Sequence, residues 1–271
     1  MTSHQAREQM LGYLYQVRYA LLLLLQNDDE QAQISIEKFD DIAFVADDNP
    51  QTMIQLKHHI KTQGNLSDAS TDLWRTIKVW ADLVASNTDC LRHTKFVIIT
   101  TAIAPDNTAA SYLRSSSQLS NRNTTLAFNI LKEVTKTSDN KLHKPYYTAF
   151  NNLGDGLARK LIDNIYVFDG SSNIIDVKED IKKHIRYGCL PKYEQRMCER
   201  LEGWWYSKCI ECLVSEVPVY INQNQIRFVI ASFRDEYTED NLPIDVPILD
   251  EVNIEDLPEK DRVFVEQLRL I

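Results

Sequence analysis

One short run of residues constrains the fold of this chain more than any other. Residues 95–101, with the sequence KFVIITT, are apolar almost without interruption over the length of a strand. Such a strand is buried on both faces, so the sheet that contains it must be covered by helices on both sides. The run therefore predicts an α/β architecture.

The residues before this run predict a helix followed by three strands. Residues 5–26 carry apolar side chains at helical spacing, and the later turns are apolar nearly all round, as in a helix packed on both sides. Three short segments rich in Ile, Val and Phe then predict an antiparallel meander. The segments are residues 32–37, 41–46 and 52–58, and the turns between them are residues 38–40 and 47–51.

A second helix is expected between the meander and the buried run. Residues 65–70 offer N-cap side chains, and apolar residues recur at helical spacing from Leu73 to Val84. The order helix, three-stranded meander, helix, strand defines a core over residues 1–105.

The remaining residues, 106–271, are expected to form a mixed, mainly helical accessory region for assembly and regulation. A strand is predicted at residues 165–168, and two strands are predicted within residues 217–233 around a turn at 222–224.

Composition excludes disordered and fibrous proteins and locates the charge. The chain has 271 residues, of which 44% are hydrophobic and 25% charged. The net charge of −9 lies entirely in residues 235–271, which hold 12 acidic and 3 basic side chains. The rest of the chain is neutral, so its body is free to bind a nucleic acid. The acidic segment is either a solvated surface, or it docks on a basic partner or screens a DNA-binding groove.

Cysteine usage and the N-terminus predict a cytoplasmic protein. The five cysteines are an odd number, and the first residues lack the basic-then-apolar layout of a signal peptide. The apolar run from Leu21 to Leu25 is too short to span a membrane, so no membrane association is expected. The apolar pattern at residues 264–271 leads us to expect that the sequence is cut from a longer protein.

Polar side chains of the three predicted strands are expected to converge on one patch of the sheet. Glu37 and Asp41 flank the first turn and lie opposite each other. If the second turn is symmetric about Asn49, Asp41 faces Lys57 on the neighbouring strand. Directly opposed Cβ atoms are about 5 Å apart, so the two side chains would be in reach of each other. Alternation then places Gln55 on the same face as Lys57.

This set of side chains suits a hard divalent cation. Mg²⁺ (or Mn²⁺) prefers oxygen ligands and often binds one or two carboxylates together with water and substrate phosphate. Asp41 is the expected central ligand, with Glu37 and the side-chain oxygen of Gln55 beside it. The metal would bind a scissile phosphate and lower the pKa of a bound water, which Lys57 would orient. The alternative is that Glu37 and Asp41 form only a surface ion pair with Lys57, which would contribute less than about 1 kcal/mol to the stability.

Three blocks of sequence, in this order, resemble a family of bacterial nucleases. The blocks are GYLYQ at residues 12–16, IEKFDDI at 36–42 and IQLKHH at 54–59. Together they resemble the PD-(D/E)xK effector nucleases of anti-phage systems. In CBASS this endonuclease domain is fused to a nucleotide sensor, and in Lamassu and other ABC-three-component systems its partner is an SMC-like ATPase. The segments most similar to the three-component subgroup are LSD at 66–68, DLWRT at 72–76 and LEGWW at 201–205.

The resemblance implies a restriction-endonuclease-like core and Mg²⁺-dependent cleavage of double-stranded DNA. It assigns catalytic roles to Asp41, Gln55 and Lys57, and supporting roles to Glu37 and Gln16. Gln55 stands where the family motif has a glutamate, which removes one negative ligand. Many relatives share that choice, so we interpret the site as active.

Basic side chains near the patch are expected to contact the DNA backbone. They are Lys61, Arg75 and Lys78. The tryptophans could stack on bases, but core packing fits their helical spacing better. They are Trp74, Trp80, Trp204 and Trp205.

Two further groups each admit two interpretations. His58 and the adjacent His59 either contact phosphate or metal, or end a polar strand. A CxxC pair with two more cysteines and a histidine either binds zinc or forms buried thiols in one helix, which the i, i+3 spacing favours. Its members are His184, Cys189, Cys198, Cys209 and Cys212.

The sequence therefore predicts a metal-dependent DNA endonuclease that acts as the effector of a defence complex. Cleavage of both strands indicates a homo-oligomer, since one site cuts one strand. A Walker A loop is absent, so an ATPase such as an SMC-like protein, or another sensor, must be a partner. Two other functions stay open: a non-catalytic DNA- or protein-binding module on the same fold, and a structure-specific RNA nuclease.

Overall fold

The chain folds around one mixed six-stranded sheet with helices on both faces. The computed structural model describes residues 3–59, 64–115 and 121–237, so Lys61 and most of the acidic segment lie outside the described residues. The strands are β1 (Gln33–Ile36), β2 (Ile42–Ala46), β3 (Asn49–Lys57), β4 (Lys95–Thr100), β5 (Ile165–Phe168) and β6 (Ile221–Asn222). The α-helices are α1 (Ser3–Leu25), α2 (Thr71–Ser86), α3 (Ala109–Tyr112), α4 (Thr124–Thr137), α5 (Lys144–Asn152), α6 (Gly154–Asp163), α7 (Ile174–Ile185), α8 (Glu194–Val214) and α9 (Gln223–Glu236).

The strand order across the sheet is β5-β4-β3-β2-β1-β6. The first three strands form the predicted antiparallel meander, and α2 then crosses over so that β4 runs parallel to β3. Both edge strands, β5 and β6, come from the part of the chain after residue 105 and extend the same sheet. The division into two regions at residue 105 stays a prediction.

The sheet is buried on both faces, as the apolar run in β4 predicts. Met53 and Ile98 face a core that is completed by α2, α4, α5 and α6. Leu56 and Ile99 point the opposite way, into a second core with α1, α7 and α8. Because successive residues of a strand alternate between faces, the two cores share the backbone of β3 and β4.

Helix α1 is central to the second core. Its buried residues include Tyr15, Leu21 and Leu24, and Arg18 on the same helix pairs with Glu202 of α8 at 2.5 Å. The prediction of one helix over residues 5–26 is therefore confirmed. Among the helices of the described residues, none combines the length and the apolar character that crossing a bilayer requires.

The first hairpin has the predicted register. Ile36 pairs with Ile42, and the backbone N–H of Glu37 donates to the carbonyl oxygen of Asp41 at 3.1 Å. Glu37 adopts a φ of 57°, which starts the reversal of the chain. Glu37 and Asp41 therefore flank the turn opposite each other.

The second turn is tighter than the sequence prediction. Only Asp47 and Asp48 form it, with φ angles of 49° and 60°, and Asn49 already belongs to β3. Two successive residues with positive φ are typical of the type I′ turn, whose twist matches that of a hairpin. The predicted five-residue turn, residues 47–51, is wrong because Asn49 and the following Pro continue as a strand.

The register of the second hairpin consequently differs from the predicted one by two residues. After a bulge in β3, where Gln51 has no partner in β2, Ile42 pairs with Ile54. Continuing this pairing places Asp41 level with Gln55, whereas the symmetric turn placed it opposite Lys57. A shift of two residues leaves every side chain on its predicted face, because the side-chain period of a strand is two.

The prediction of two strands within residues 217–233 is wrong. Only Ile221 and Asn222 form a strand, and α9 starts directly after them. The Asn222 side chain accepts from the N–H of Gln225, whose own side chain accepts from the N–H of Asn222. This capping box starts a helix whose apolar residues, such as Ile226, pack on the second core.

The tryptophans and cysteines for which the sequence left a binding role open mostly pack in the two cores. Trp74, Trp80 and Trp205 are almost completely buried. Cys198 and Cys209 are buried in α8, and all five cysteines are free thiols. No three His, Cys, Asp or Glu side chains among the described residues stand close enough to hold a metal ion, so the zinc interpretation has no geometric support.

Candidate active site

The side-chain amide of Gln55 lies between the other two residues to which catalytic roles were assigned, Asp41 and Lys57. Its Nε2 donates to Oδ1 of Asp41 at 3.1 Å, and its Oε1 accepts from Nζ of Lys57 at 2.6 Å. All three side chains lie on the face of the sheet that is covered by α2. The convergence predicted from alternation is therefore observed, with Gln55 between the carboxylate and the ammonium group.

Asp41 is held by the end of the neighbouring strand. Its Oδ2 accepts from the backbone N–H of Leu56 at 2.8 Å. Strand β2 begins only at Ile42, so the carboxylate of Asp41 takes the place of a backbone carbonyl beside β3. A carboxylate that accepts from a backbone N–H is fixed in position by that bond.

A second acid, Asp40, lies behind this cluster. Its Oδ2 accepts from Nε1 of Trp80 at 2.7 Å, and its Oδ1 accepts from Nε2 of Gln55. Asp40 is only 9% exposed, and burial raises its pKa to about 6 against the lowering effect of these two donors. Asp40 was assigned no role from the sequence. Side chains alternate between faces only in a regular strand, so in a turn the sequence does not indicate which of two adjacent acids points inward.

Glu37 lies within electrostatic range of both acids. Partial burial and the nearby charges of Asp41 and Asp40 raise the pKa of Glu37, and Lys57 opposes that rise. The charges of the three acids therefore act on one another, and the ammonium group of Lys57 offsets part of the repulsion at Glu37. A cation that binds between two carboxylates relieves such repulsion.

The oxygen donors fit a divalent cation that keeps part of its water shell. Two of the candidate ligands, Asp41 and Glu37, are acids, and the third, Gln55, supplies a neutral oxygen. The described residues contain no larger ready-made cluster of acids, histidines or cysteines. Mg²⁺ needs no such cage, since it usually binds to one or two carboxylates, with water and substrate phosphate as the remaining ligands.

Gln16 lies apart from the hydrogen-bonded cluster but shares a groove with one member of it. The groove has a volume of about 430 Å³, and Gln16 and Glu37 form its polar part. The rest is apolar and comes mainly from α1 and α8, including Tyr13 and Ile210. Gln16 is thus placed on the α1 side of the sheet, next to Glu37.

His58 points away from the cluster. Its ring stacks on Tyr15 of α1, with centroids 4.4 Å apart, and its Nε2 accepts from the N–H of Ile174 at 3.4 Å. Burial and the neighbouring His59 lower the pKa of His58. Alternation explains the placement, since His58 follows Lys57 and takes the opposite face.

His59 instead reaches the first turn of α2. Its Nε2 lies 3.0 Å from Oδ2 of Asp72, and its backbone N–H donates to Thr101 at 2.8 Å. The hydrogen bond to Asp72 raises the pKa of His59 and lowers that of Asp72, and Lys57 lies close enough to contribute to the lowering. The pair therefore joins the start of α2 to the end of β3.

We expect the Asp72→Asn substitution to lower the pKa of His59, because the substitution removes the carboxylate that favours the imidazolium. Folding raises the pKa of His59. The stabilisation that His59 contributes is therefore complete below its unfolded pKa near 6.5 and is lost as pH rises through its folded pKa. Folding lowers the pKa of Asp72, and the stabilisation that Asp72 contributes is therefore lost as pH falls below about 4.

An NMR titration of the six histidines measures the change, with His59→Gln used to assign the resonance. Unfolding at pH 5.5 should show a loss of less than about 1 kcal/mol in Asp72→Asn, because both groups are partly exposed. An unchanged titration of His59 would contradict the observed pairing.

The basic residues expected to contact DNA lie on α2 near the cluster. Arg75 is exposed one turn after Asp72 and contributes to lowering the pKa of Asp72. Lys78 pairs with Asp82 at 2.5 Å. Lys61 falls outside the described residues, and its role stays a prediction.

Comparison with known proteins finds similarity only among solved structures. No family model and no curated protein matches the chain. A Cap4 SAVED/CARF-domain containing receptor from Moraxella osloensis is similar at a TM-score of 0.45 and 14% identity, over 83% of this chain and 49% of the receptor. The receptor from Acinetobacter baumannii with the cyclic trinucleotide 3′3′3′-cAAA has a TM-score of 0.45 and 15% identity, over the same shares of the two chains. The chain spans about half the length of these receptors, and similarity at this level does not assign a function to it.

Proposed function

We propose that this chain is a metal-dependent DNA endonuclease of the PD-(D/E)xK type, with Mg²⁺ or Mn²⁺ as its cofactor. The observation that carries the proposal is the hydrogen-bonded set of Asp41, Gln55 and Lys57 on one face of two neighbouring strands. An acid just before one strand and a lysine at the end of the next match that motif, in which Gln55 stands in place of the usual acid.

The arrangement of the elements also supports a restriction-endonuclease-like core. The order helix, meander, helix, strand is the one expected for residues 1–105, and β1 to β4 are neighbours in chain order. Helix α2 covers the face that carries the cluster. Its exposed Arg75 contributes to lowering the pKa of Asp72, which pairs with His59 after β3, and would contact a DNA backbone in this proposal.

Asp41, Glu37 and the Gln55 oxygen would hold the cation in this proposal. When bound, the cation supplies positive charge to the scissile phosphate and makes a bound water more acidic. Asp41 is suited to this role because the N–H of Leu56 fixes its carboxylate before any substrate arrives. A preorganised group costs no reorganisation in the transition state.

Lys57 would act on the phosphate and on the attacking water. Its Nζ is only partly buried and lies 2.6 Å from Gln55, so the ammonium group is held at the edge of the acid cluster. There it can donate to a phosphate oxygen and offset the negative charge that develops during hydrolysis.

The biological role belongs to the same proposal. We infer that the nuclease is an effector of an anti-phage or anti-plasmid defence complex, with an SMC-like ATPase or another sensor as its partner. Cleavage of both DNA strands would use two copies of the site, and hence a homo-oligomer. The three sequence blocks that resemble effector nucleases support this role.

A plasmid cleavage assay with the full chain tests the proposal. We expect supercoiled DNA to be nicked with Mg²⁺ or Mn²⁺ and to stay intact with EDTA. Asp41→Asn should lower the rate by at least about 100-fold, as the loss of a group that stabilises a transition state does. Asp155→Asn, which changes an exposed acid paired with Lys132 of α4, is the matched control and should keep the wild-type rate.

Three results would contradict the proposal. Cleavage of structured RNA without cleavage of DNA would indicate an RNA nuclease. Binding of DNA without cleavage, in every oligomeric or partner-bound state, would indicate a binding module. Cleavage that is unaffected by Asp41→Asn would place the active site elsewhere.

A further inference from the structure

Both carboxylate oxygens of Asp40 accept hydrogen bonds, and two of the donors are side chains outside the turn of Asp40. Oδ1 accepts from the side-chain amide of Gln55 and from the backbone N–H of Asp41, the latter at 3.1 Å. Oδ2 accepts from Nε1 of Trp80 at 2.7 Å. Asp40 is 9% exposed and Trp80 is completely buried, so a chain of hydrogen bonds runs from the core to the edge of the site.

This chain of bonds determines which way the Gln55 amide faces. Its nitrogen lies between the carboxylates of Asp40 and Asp41, and its oxygen faces Nζ of Lys57. The reverse orientation would set the amide oxygen against two carboxylates and the amide nitrogen against an ammonium group. Every contact would then be repulsive, so only one orientation is compatible with the surroundings.

The same surroundings disfavour a glutamate at position 55. Gln55 is 8% exposed, and one oxygen of a carboxylate there would keep the donor Lys57 while the other would face Asp40 and Asp41 with no donor from either. Like charges that close together are destabilising in a buried site. The departure of this chain from the family's usual glutamate is thus explained by the acid at position 40.

We propose that Asp40 is a positioning residue: it holds the nitrogen of the Gln55 amide against the carboxylates, so that the amide oxygen, which accepts from Lys57, offers its second lone pair as a neutral ligand. The cation-binding part of this inference rests on the proposed function, whereas the coupling between positions 40 and 55 does not. Asp40 thus acts through Gln55 and need not touch the cation.

An exchange of the two side-chain types tests the coupling. In the double variant Asp40→Asn with Gln55→Glu, the new amide oxygen accepts from Trp80 and the new amide nitrogen donates to the carboxylate at position 55. Each single variant lacks one of these matches. Asparagine alone offers one acceptor atom for three donors, which are Trp80, Gln55 and the N–H of Asp41. Glutamate alone faces two acids.

We expect Gln55→Glu to lower the melting temperature by about 5 °C or more, because the new carboxylate is buried against the two acids Asp40 and Asp41. The double variant should recover at least half of that loss. Asp68→Asn is the matched control, because Asp68 is a partly buried acid bonded to the N–H of Ala109 and lies outside this network. Adding it to Gln55→Glu should recover nothing.

Mn²⁺ binding, measured by calorimetry without DNA, separates positioning from a purely structural role. We expect Asp40→Asn to weaken Mn²⁺ binding about tenfold while the protein stays folded, because a misaligned amide loses one ligand worth about 1.4 kcal/mol. The Asp68→Asn control should bind as the wild type does.

The outcomes are distinct. A double variant no more stable than Gln55→Glu would overturn the coupling. Unchanged Mn²⁺ affinity in folded Asp40→Asn would overturn the positioning role. Recovery of stability together with weakened Mn²⁺ binding would support the inference even if the plasmid assay shows no cleavage, in which case only the proposed function fails.

Discussion

Replacing Lys57 with alanine should lower the rate of plasmid nicking by about 10²–10³-fold, the range seen when one preorganised donor to a developing negative charge is removed. Lys57 donates directly to the Gln55 oxygen at 2.6 Å and is close enough to Glu37 to oppose the rise in the pKa of that acid. Its removal leaves the buried Gln55 oxygen without this donor, which should lower the unfolding free energy by about 1–3 kcal/mol. The protein should stay folded at 25 °C, so the rate of nicking reports the loss in catalysis.

Single-turnover cleavage with Mg²⁺, followed on agarose gels beside thermal unfolding, measures both quantities. Lys183→Ala is the matched control, since Lys183 pairs with Asp180 at 2.7 Å on α7, outside the site. Lys57→Arg keeps the charge and should retain more activity than the alanine variant. Equal rates for Lys57→Ala and the wild type would remove Lys57 from the mechanism.

Trp80→Phe should be among the most destabilising conservative changes in the chain. The indole of Trp80 is completely buried, and its N–H donates to the carboxylate of Asp40 at 2.7 Å. The substitution leaves a small cavity and also deprives a buried acid of a donor. A hydrogen bond to a charged group contributes about 1.5–3 kcal/mol, so the total loss in unfolding free energy should reach about 3 kcal/mol at pH 8.

Trp74→Phe provides the matched control for this experiment. Trp74 is equally buried on the same helix, and its N–H donates to the uncharged backbone carbonyl of Asp68 at 2.7 Å. A neutral hydrogen bond contributes about 0.5–1.5 kcal/mol, so Trp74→Phe should cost about 1 kcal/mol less than Trp80→Phe. Urea unfolding of both variants measures the difference. Equal losses would mean that the bond to Asp40 carries no additional stabilisation.

The elements around the site were predictable because each has a local signal. The apolar run of β4, the stripe of α2 and the turn residues of the meander act within a few positions of one another. Register is different, because it depends on φ angles that asparagine, aspartate and glycine all permit. The pair Asp47 and Asp48 formed a two-residue turn where a five-residue turn was also consistent with the sequence.

The site itself was predictable in its members but not in its connections. Alternation placed Asp41, Gln55 and Lys57 on one face, and the error in register left that result intact. The role of Asp40 depends on Trp80, which lies 40 residues away and belongs to the opposite wall of the core. No local pattern connects two such positions. The helix at residues 223–236 was missed for another reason: its capping box, Asn222 with Gln225, resembles turn residues between two strands.

The two edge strands have a consequence for how the protein is made. The acids and the lysine of the site leave the ribosome early, because they lie within residues 37–57. Strands β5 and β6 follow much later, since they begin at residues 165 and 221. Until then α1 lacks α7 and α8, against which its buried side chains rest. A nascent chain thus carries every reactive group while the scaffold that aligns them is unfinished. Under the function proposed above, competence to cut would arrive only after residue 222 has left the ribosome, which would give the cell time to assemble whatever restrains the enzyme.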